Sequence, residues 1–171
     1  MHSEVFDHVT KVKKLFPEFF LEKKVLEIGS LDINGSVRPF FIACEYTGLD
    51  LGEGKGVDVI CPIAEYIHPE EFDVVISTEC GEHSRTWHQD LIQMYNNLKP
   101  NGLLIYTAAG PNRHEHGTSR TTPGDAPFTN DWYRNIDIAD FRSALPANLF
   151  SIQELKLVRG DCDIIFYGIK K

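Results

Sequence analysis

The 171-residue chain contains no apolar run near the roughly 18–20 residues that a bilayer-spanning helix needs. Its first residues, MHSEVFDHVTKVKK, carry Glu4 and Asp7 where a secretory leader would have an apolar block. A cytoplasmic protein is expected. Cysteine is scarce, and the four present (Cys44, Cys61, Cys80 and Cys162) form no CxxC pair, which excludes a zinc ribbon or a redox motif of that kind. Each lies in or beside an apolar segment, so reduced, buried thiols are expected. Basic residues are outnumbered, 17 Lys+Arg against 25 Asp+Glu, and the net charge of −8 argues against holding duplex nucleic acid through its phosphates. There are no internal repeats and no low-complexity linker, and the length fits one domain over residues 1–171.

What is present is a regular alternation. Val5, Val9, Val12 and Leu15 fall at helical spacing, and Pro17 ends the pattern, predicting a helix over residues 4–16. Short apolar runs follow at residues 25–28, 46–49, 57–60, 72–77, 103–107, 150–158 and 163–169. Helical segments are expected at 35–42, 86–98 and 136–145. Several runs are apolar without alternation, as parallel strands covered on both faces require. The last two runs are separated only by residues 159–162, so a hairpin with an antiparallel final strand is expected. The fold class is therefore α/β, an open sheet that binds ligands beyond the carboxyl ends of its strands.

The residues just after the strands carry the chemistry. The first strand runs into VLEIGS and then LDINGS. Gly29 permits a sharp turn and a close ligand approach, but no three-glycine dinucleotide fingerprint and no Walker A loop follows. Asp50 ends the second strand, 21 residues beyond Gly29. A carboxylate there can accept both hydroxyls of a ribose. The alternative is a turn glycine and a surface aspartate.

At these positions the chain resembles the class I S-adenosylmethionine-dependent methyltransferases. VLEIGS is similar to their first motif, GLD to their ribose-binding acid, FDVVISTECGEH to their fourth-strand motif, and LKPNGLLIYT to the turn into their fifth strand. GSLDINGSVR, GVDVI, Glu82-His83 and Glu115-His116-Gly117-Thr118 resemble a subset of small bacterial and viral members, and some sugar-modifying enzymes look similar at this level. The resemblance implies a Rossmann-like three-layer sandwich with a seven-stranded, mostly parallel sheet in order 3-2-1-4-5-7-6 and strand 7 antiparallel. It implies S-adenosylmethionine as cofactor, held by Glu27, Gly29, Ser30, Asn34, Gly35, Asp50, Leu51, Cys61, Ile63 and Thr78. The chain departs from the family at SLDING, which replaces the usual glycine-rich segment. It departs again at Cys61-Pro62-Ile63, where many members place an acid for the adenine amine.

Transfer to a hydroxyl needs a group to take its proton, and histidine and carboxylate near the cofactor methyl are the natural candidates. His83, Glu79, His116 and Asp131 are the expected catalytic residues. Residues 109–134 form a segment too long for an ordinary connection. Rich in histidine, arginine, acids and aromatics, it is expected to close over the acceptor, with His114, Arg120, Trp132 and Tyr133 contacting substrate and Phe128 in the same wall. The alternative is an ordered lid whose polar residues bond its own backbone. A divalent metal held by Glu79, His114 and His116 is a further expectation, since it would acidify a bound hydroxyl.

The reading preferred here is O-methylation of a small or glycan-linked (sugar) hydroxyl. The [DNS]-P-P-[YF] segment of many amino-methylating enzymes is absent, its place reading Ser77-Thr78-Glu79-Cys80. A NAD- or nucleotide-binding oxidoreductase and an inactive methyltransferase-like partner subunit remain as alternatives. Oligomeric state is left open.

Overall fold

A computed structural model describes residues 3–171. The chain runs α1 (Ser3–Leu15), β1 (Lys24–Ile28), β2 (Glu45–Asp50), β3 (Val59–Ile60), β4 (Phe72–Thr78), α2 (Trp87–Asn97), β5 (Leu98–Ala109), α3 (Ile138–Ala144), β6 (Phe150–Val158) and β7 (Asp163–Lys170). The strands form one seven-stranded sheet in the order β3-β2-β1-β4-β5-β7-β6. Pairs from β3 to β5 are parallel, and β7 is antiparallel to both β5 and β6. This is the order that the family resemblance implies, and the antiparallel last strand is the one expected from the short 159–162 connection. Among the described residues no helix is long and apolar enough to cross a membrane.

Successive side chains of the central strands enter opposite layers. On one face, Val25, Val74, Ile76, Leu103 and Ile105 pack with Val5, Val9 and Val12 of α1. On the other, Leu26, Val75, Leu104 and Tyr106 pack with Trp87, Leu91 and Met94 of α2 and Phe141 of α3. The i, i+4, i+7 rows of α1 and α2 supply the apolar stripes that cover the sheet. Asn97, fully buried, donates to the Tyr66 carbonyl at 2.9 Å and accepts from the His68 amide at 3.0 Å, which pins the β3–β4 connection to the end of α2. The Lys170 ammonium donates to the Leu98 and Tyr95 carbonyls at 2.7 and 3.1 Å, closing the helix end.

Four expectations are corrected. The segment at 35–42 is not an α-helix but a 3-10 turn, Arg38–Phe40. Pro39 lacks a donor, and the Asp32 and Ser36 side chains accept the Gly35 and Arg38 amides that a helix would use. The third strand shrinks to two residues. The Asp58 carboxylate takes the Gly48 amide at 2.7 Å and the Arg38 guanidinium at 2.7 Å, so side-chain bonds replace part of the ladder. Helix α3 starts two residues later than expected, because Asp137 caps it in a reciprocal box with Asp140. The four cysteines are free thiols, but each is only partly buried.

One buried group gives the fold a pH dependence. His8 of α1 is 4% exposed, and its Nε2 donates to the Phe166 carbonyl of β7 at 3.0 Å. Burial lowers its pKa to about 4, the Phe166 bond opposing, with Lys11 lowering it further and Glu154 raising it. Between pH 4 and 6.5 the unfolded chain therefore binds more protons at this site than the folded one. Its contribution is intact above pH 6.5 and is lost as pH falls toward 4, by up to roughly 3 kcal/mol at ~1.4 kcal/mol per unit. Denaturant unfolding from pH 7 to 4 should show this loss, and His8→Leu should flatten the slope. Equal slopes for both proteins would refute the assignment.

Candidate active site

The site forms where the strand order reverses. Ile28 lies in register between Leu49 of β2 and Ser77 of β4, so three strands end level with one another beside the same crevice. The chain leaves β1 through Gly29 at φ +76°, and a Cβ there would stand 2.6 Å from the Cys80 Cβ. Only glycine allows this approach. The Gly29 and Ser30 amides both reach the Leu49 carbonyl, at 2.9 and 3.2 Å. Asp50 accepts the Leu31 amide at 2.9 Å and the Leu51 amide at 2.7 Å, one on each carboxylate oxygen, which fixes its direction and leaves lone pairs for a ligand.

A cavity of about 630 Å³ opens above these turns. All ten expected cofactor residues line it: Glu27, Gly29, Ser30, Asn34, Gly35, Asp50, Leu51, Cys61, Ile63 and Thr78. The hydroxyls of Ser30 and Thr78 are buried and have no partner within the protein. Glu27 is 2% exposed and accepts the Tyr46 hydroxyl at 2.8 Å. Burial raises its pKa to about 7 against the lowering effect of that bond.

The same cavity continues to Glu79, His83, His114 and His116. Glu79 takes φ +54° at the end of β4, an uncommon conformation for a residue with a Cβ, and its carboxylate accepts the Thr107 hydroxyl at 2.9 Å. His83 lies outside the next helix. It lies in a 3-10 turn, Gly81–His83, four residues before α2 begins, and Thr86 occupies the cap position. A Cβ on Gly81 would overlap the Tyr106 hydroxyl, so glycine is what lets this turn settle on the core. His83 is 7% exposed, its Nδ1 has no partner, and burial lowers its pKa to about 4, the nearby His116 adding to the effect. The His83 and His116 rings stand perpendicular with centroids 5.0 Å apart, and Tyr133 packs on both.

The segment over the cavity holds itself together. Glu115 accepts from Thr118 at 2.6 Å and from Arg120 at 2.9 and 2.6 Å. Asp131 accepts from the Ser119 amide and hydroxyl and from Arg120 at 3.4 Å. The Asn135 side chain donates to the Pro111 and Arg113 carbonyls, both at 2.9 Å, tying the two ends of the lid. Asp131 and Arg120 therefore stand outside the cavity, on the exposed side, bonded within the lid rather than facing a ligand. Trp132 is also outside the lining, and the Arg85 guanidinium lies over its ring at 4.9 Å. Tyr133 acts at one remove, through its ring contacts with the two histidines and its hydroxyl bond to the His114 carbonyl at 3.1 Å.

Two further expectations change. Phe128 lines the cavity, but against Gly52 in the loop after β2, where a Cβ would stand 2.3 Å from the ring; it roofs the Asp50 side. The metal-capable donors brought together are not Glu79, His114 and His116. Among the described residues they are Glu82, His83 and His116, all within 4.8 Å of one another, while His114 is exposed. Sequence reasoning placed Glu82 beside His83 without a metal-binding role and passed over Arg113, which lines the cavity and pairs with the buried Asp163 at 2.9 Å.

No protein-family model matches the chain, and no curated protein is similar to it in sequence. Solved structures are similar in fold. One is the Burkholderia thailandensis 1,6-didemethyltoxoflavin-N1-methyltransferase with bound S-adenosylhomocysteine, with TM-score 0.64, 15% identity, and coverage of 92% of this chain and 75% of that one. A second is Haemonchus contortus phosphoethanolamine N-methyltransferase 2 in complex with S-adenosyl-L-methionine, with TM-score 0.66 and 15% identity over 96% of this chain. The chain spans about half of that protein, 52%. A third is an S-adenosylmethionine-dependent methyltransferase from Archaeoglobus fulgidus, with TM-score 0.63, 14% identity, and coverage of 94% and 92%. What the chain shares with these methyltransferases is the fold.

Gly117 provides a test of the lid. It holds φ +70°, and a Cβ there would stand 2.6 Å from both the His83 Cε1 and the Ala126 Cβ. Gly117→Ala should lift the lid off His83, at a cost of roughly 1–2 kcal/mol for the backbone alone. Limited tryptic cleavage at the exposed Arg120 should then accelerate several-fold. Unchanged cleavage and an unchanged melting temperature would mean that the lid does not depend on this contact.

Proposed function

We propose that the protein is an S-adenosylmethionine-dependent methyltransferase that methylates a hydroxyl of a small or glycan-linked acceptor. The observation that carries this reading is the single cavity in which the Gly29–Asp50 turns and the Glu79–His83–His116 wall meet. The fold neighbours with S-adenosylmethionine or S-adenosylhomocysteine bound support the cofactor.

The residues present fit that cofactor. Asp50 keeps lone pairs for a ribose diol, and Cys61 and Ile63 offer a partly apolar bed for a base. The unpartnered Ser30 and Thr78 hydroxyls supply buried polar contacts, and Glu27 supplies a buried carboxyl beside a cationic ligand. When bound, S-adenosylmethionine supplies an activated methyl group. The remaining tasks fall to this chain. Phe128 and the lid exclude water on the Asp50 side, and the Glu79–His83–His116 wall orients the acceptor and promotes the loss of its proton. An oxygen acceptor is favoured by that supply of histidine and carboxylate. A compact acceptor is favoured by the net charge of −8, which disfavours a large polyanion.

Calorimetry should find S-adenosylhomocysteine binding and no comparable binding of NAD. Asp50→Ala should weaken the former by about 10- to 100-fold, the loss expected for one or two hydrogen bonds to a charged group. Labelled-methyl transfer from S-adenosylmethionine into fractionated glycan, small-molecule, RNA and protein pools should mark the first two. Tight NAD binding without binding of the homocysteine compound would overturn the reading.

A further inference from the structure

We propose that Glu82, His83 and His116 bind a divalent first-row transition-metal ion whose open side faces the cavity and takes a hydroxyl oxygen of the acceptor. The metal site stands on its own geometry, and the acceptor's place on it rests on the methyltransferase reading.

Glu82 is completely buried, and neither of its carboxyl oxygens makes a well-formed hydrogen bond. Burial and the nearby Glu79 charge both push its pKa up, with Arg113 and the backbone amides of Glu82 and Ala109 opposing. A carboxylate in this position is stable only with a cation or proton beside it. Close to it stands His116, whose Nε2 lies 3.8 Å from Oε1. The other nitrogen of His116, Nδ1, is 3.2 Å from the His114 carbonyl, which can only accept. That contact places the ring proton on Nδ1 and leaves the Nε2 lone pair turned toward the carboxyl. A neutral imidazole and a carboxylate facing lone pair to lone pair repel; a metal ion between them binds both. Orientation of a metal-binding histidine by a backbone carbonyl is the usual outer-shell arrangement.

His83 supplies the third donor. Its Nδ1 is buried and has no partner. All three donor atoms lie within 4.8 Å of one another. Metal–ligand bonds of about 2.0–2.2 Å need donors roughly 3–3.5 Å apart, so closure by about an ångström completes the set. Gly117 and Tyr133, packed on the histidine rings, are the groups that set how far they can move.

The donor set selects the ion. Two imidazoles and one carboxylate suit Zn²⁺, Mn²⁺, Fe²⁺ or Co²⁺ and do not suit Mg²⁺ or Ca²⁺, which prefer oxygen. His83 and His116 line the cavity and Glu82 lies beneath it, so the free coordination positions point to where an acceptor enters. There the ion acts as a Lewis acid that lowers the pKa of the hydroxyl. The O–H bond breaks and the proton leaves to solvent, while the oxygen electron pair forms the bond to the methyl carbon as the carbon–sulfur bond of the sulfonium donor breaks, its electron pair staying on the departing thioether sulfur. No oxidant or reductant takes part.

Metal-stripped protein should bind one equivalent of Zn²⁺ in calorimetry and much less Mg²⁺. Co²⁺ should give visible absorption bands of a nitrogen-ligated ion. Zn²⁺ should raise the melting temperature of the unsubstituted protein, a readout that needs no variant. Glu82→Gln and His116→Ala should each weaken Zn²⁺ binding about tenfold or more, while their melting curves in chelator report whether they fold. Sub-stoichiometric Zn²⁺ uptake, or uptake unaffected by both substitutions in folded protein, would overturn the site and leave a proton shared between Glu82 and His116. S-adenosylhomocysteine binding by the metal-stripped protein separates the two readings. If it binds and Zn²⁺ does not, only the metal site fails; if Zn²⁺ binds and it does not, only the methyltransferase reading and the acceptor's place fail.

Discussion

The contact between Gly29 and Cys80 is the constraint on which the site depends. With no Cβ on Gly29, the turn after β1 settles directly onto the residue that follows β4's exit. The two strands can then end level, while their outer neighbours, β2 and β5, carry the chain away in opposite directions. The crevice between those exits is the cavity. A side chain at residue 29 would separate the turns and displace both Asp50, held through the Leu31 amide, and Glu79, which adjoins Cys80.

The chain economises on its crossovers. Among the described residues, the connections β1–β2, β2–β3 and β3–β4 contain only 3-10 turns and loops, held by side chains such as Asp32, Asp58 and Asn97. Little protein is left on that side to enclose a ligand. The lid after β5 does so instead, reaching across the sheet to place Phe128 on Gly52. Its exposed ion pairs around Arg120 contribute little individually. The Asn135 bonds at its base and the packing of Gly117 on His83 involve more buried groups and fix its position.

The cavity is bordered by two buried acids of different kinds. Glu27 keeps one partner, the Tyr46 hydroxyl, and sits near neutrality in its proton affinity. Glu82 has no well-formed hydrogen bond, and its pKa is raised as well. Desolvation is the main cause in both cases, so a cation entering the cavity lowers the cost of either charge. Positive ligands are favoured at both ends of the same space, in a protein whose overall charge is already negative.

The α/β alternation and the terminal hairpin could be read from the residues, because buried parallel strands are near-continuous apolar runs; the strand order came from the family resemblance. Gly29 and Asp50 stood out because they follow strand ends; the other expected cofactor residues came from the resemblance, and all ten line one cavity. Where side chains replace backbone ladders the reading failed, as at Asp58 and at the Arg38–Phe40 turn. It failed too in the lid, where composition could not distinguish residues facing the cavity from residues bonding one another; Asp131 and Arg120 belong to the second group. The pairing of Glu82 with His116 joins a turn after β4 to a loop after β5, 34 positions apart in the chain. Local pattern carries hydrophobic period and turn chemistry. Which polar atoms end up buried, facing each other and without partners is settled only when distant segments pack.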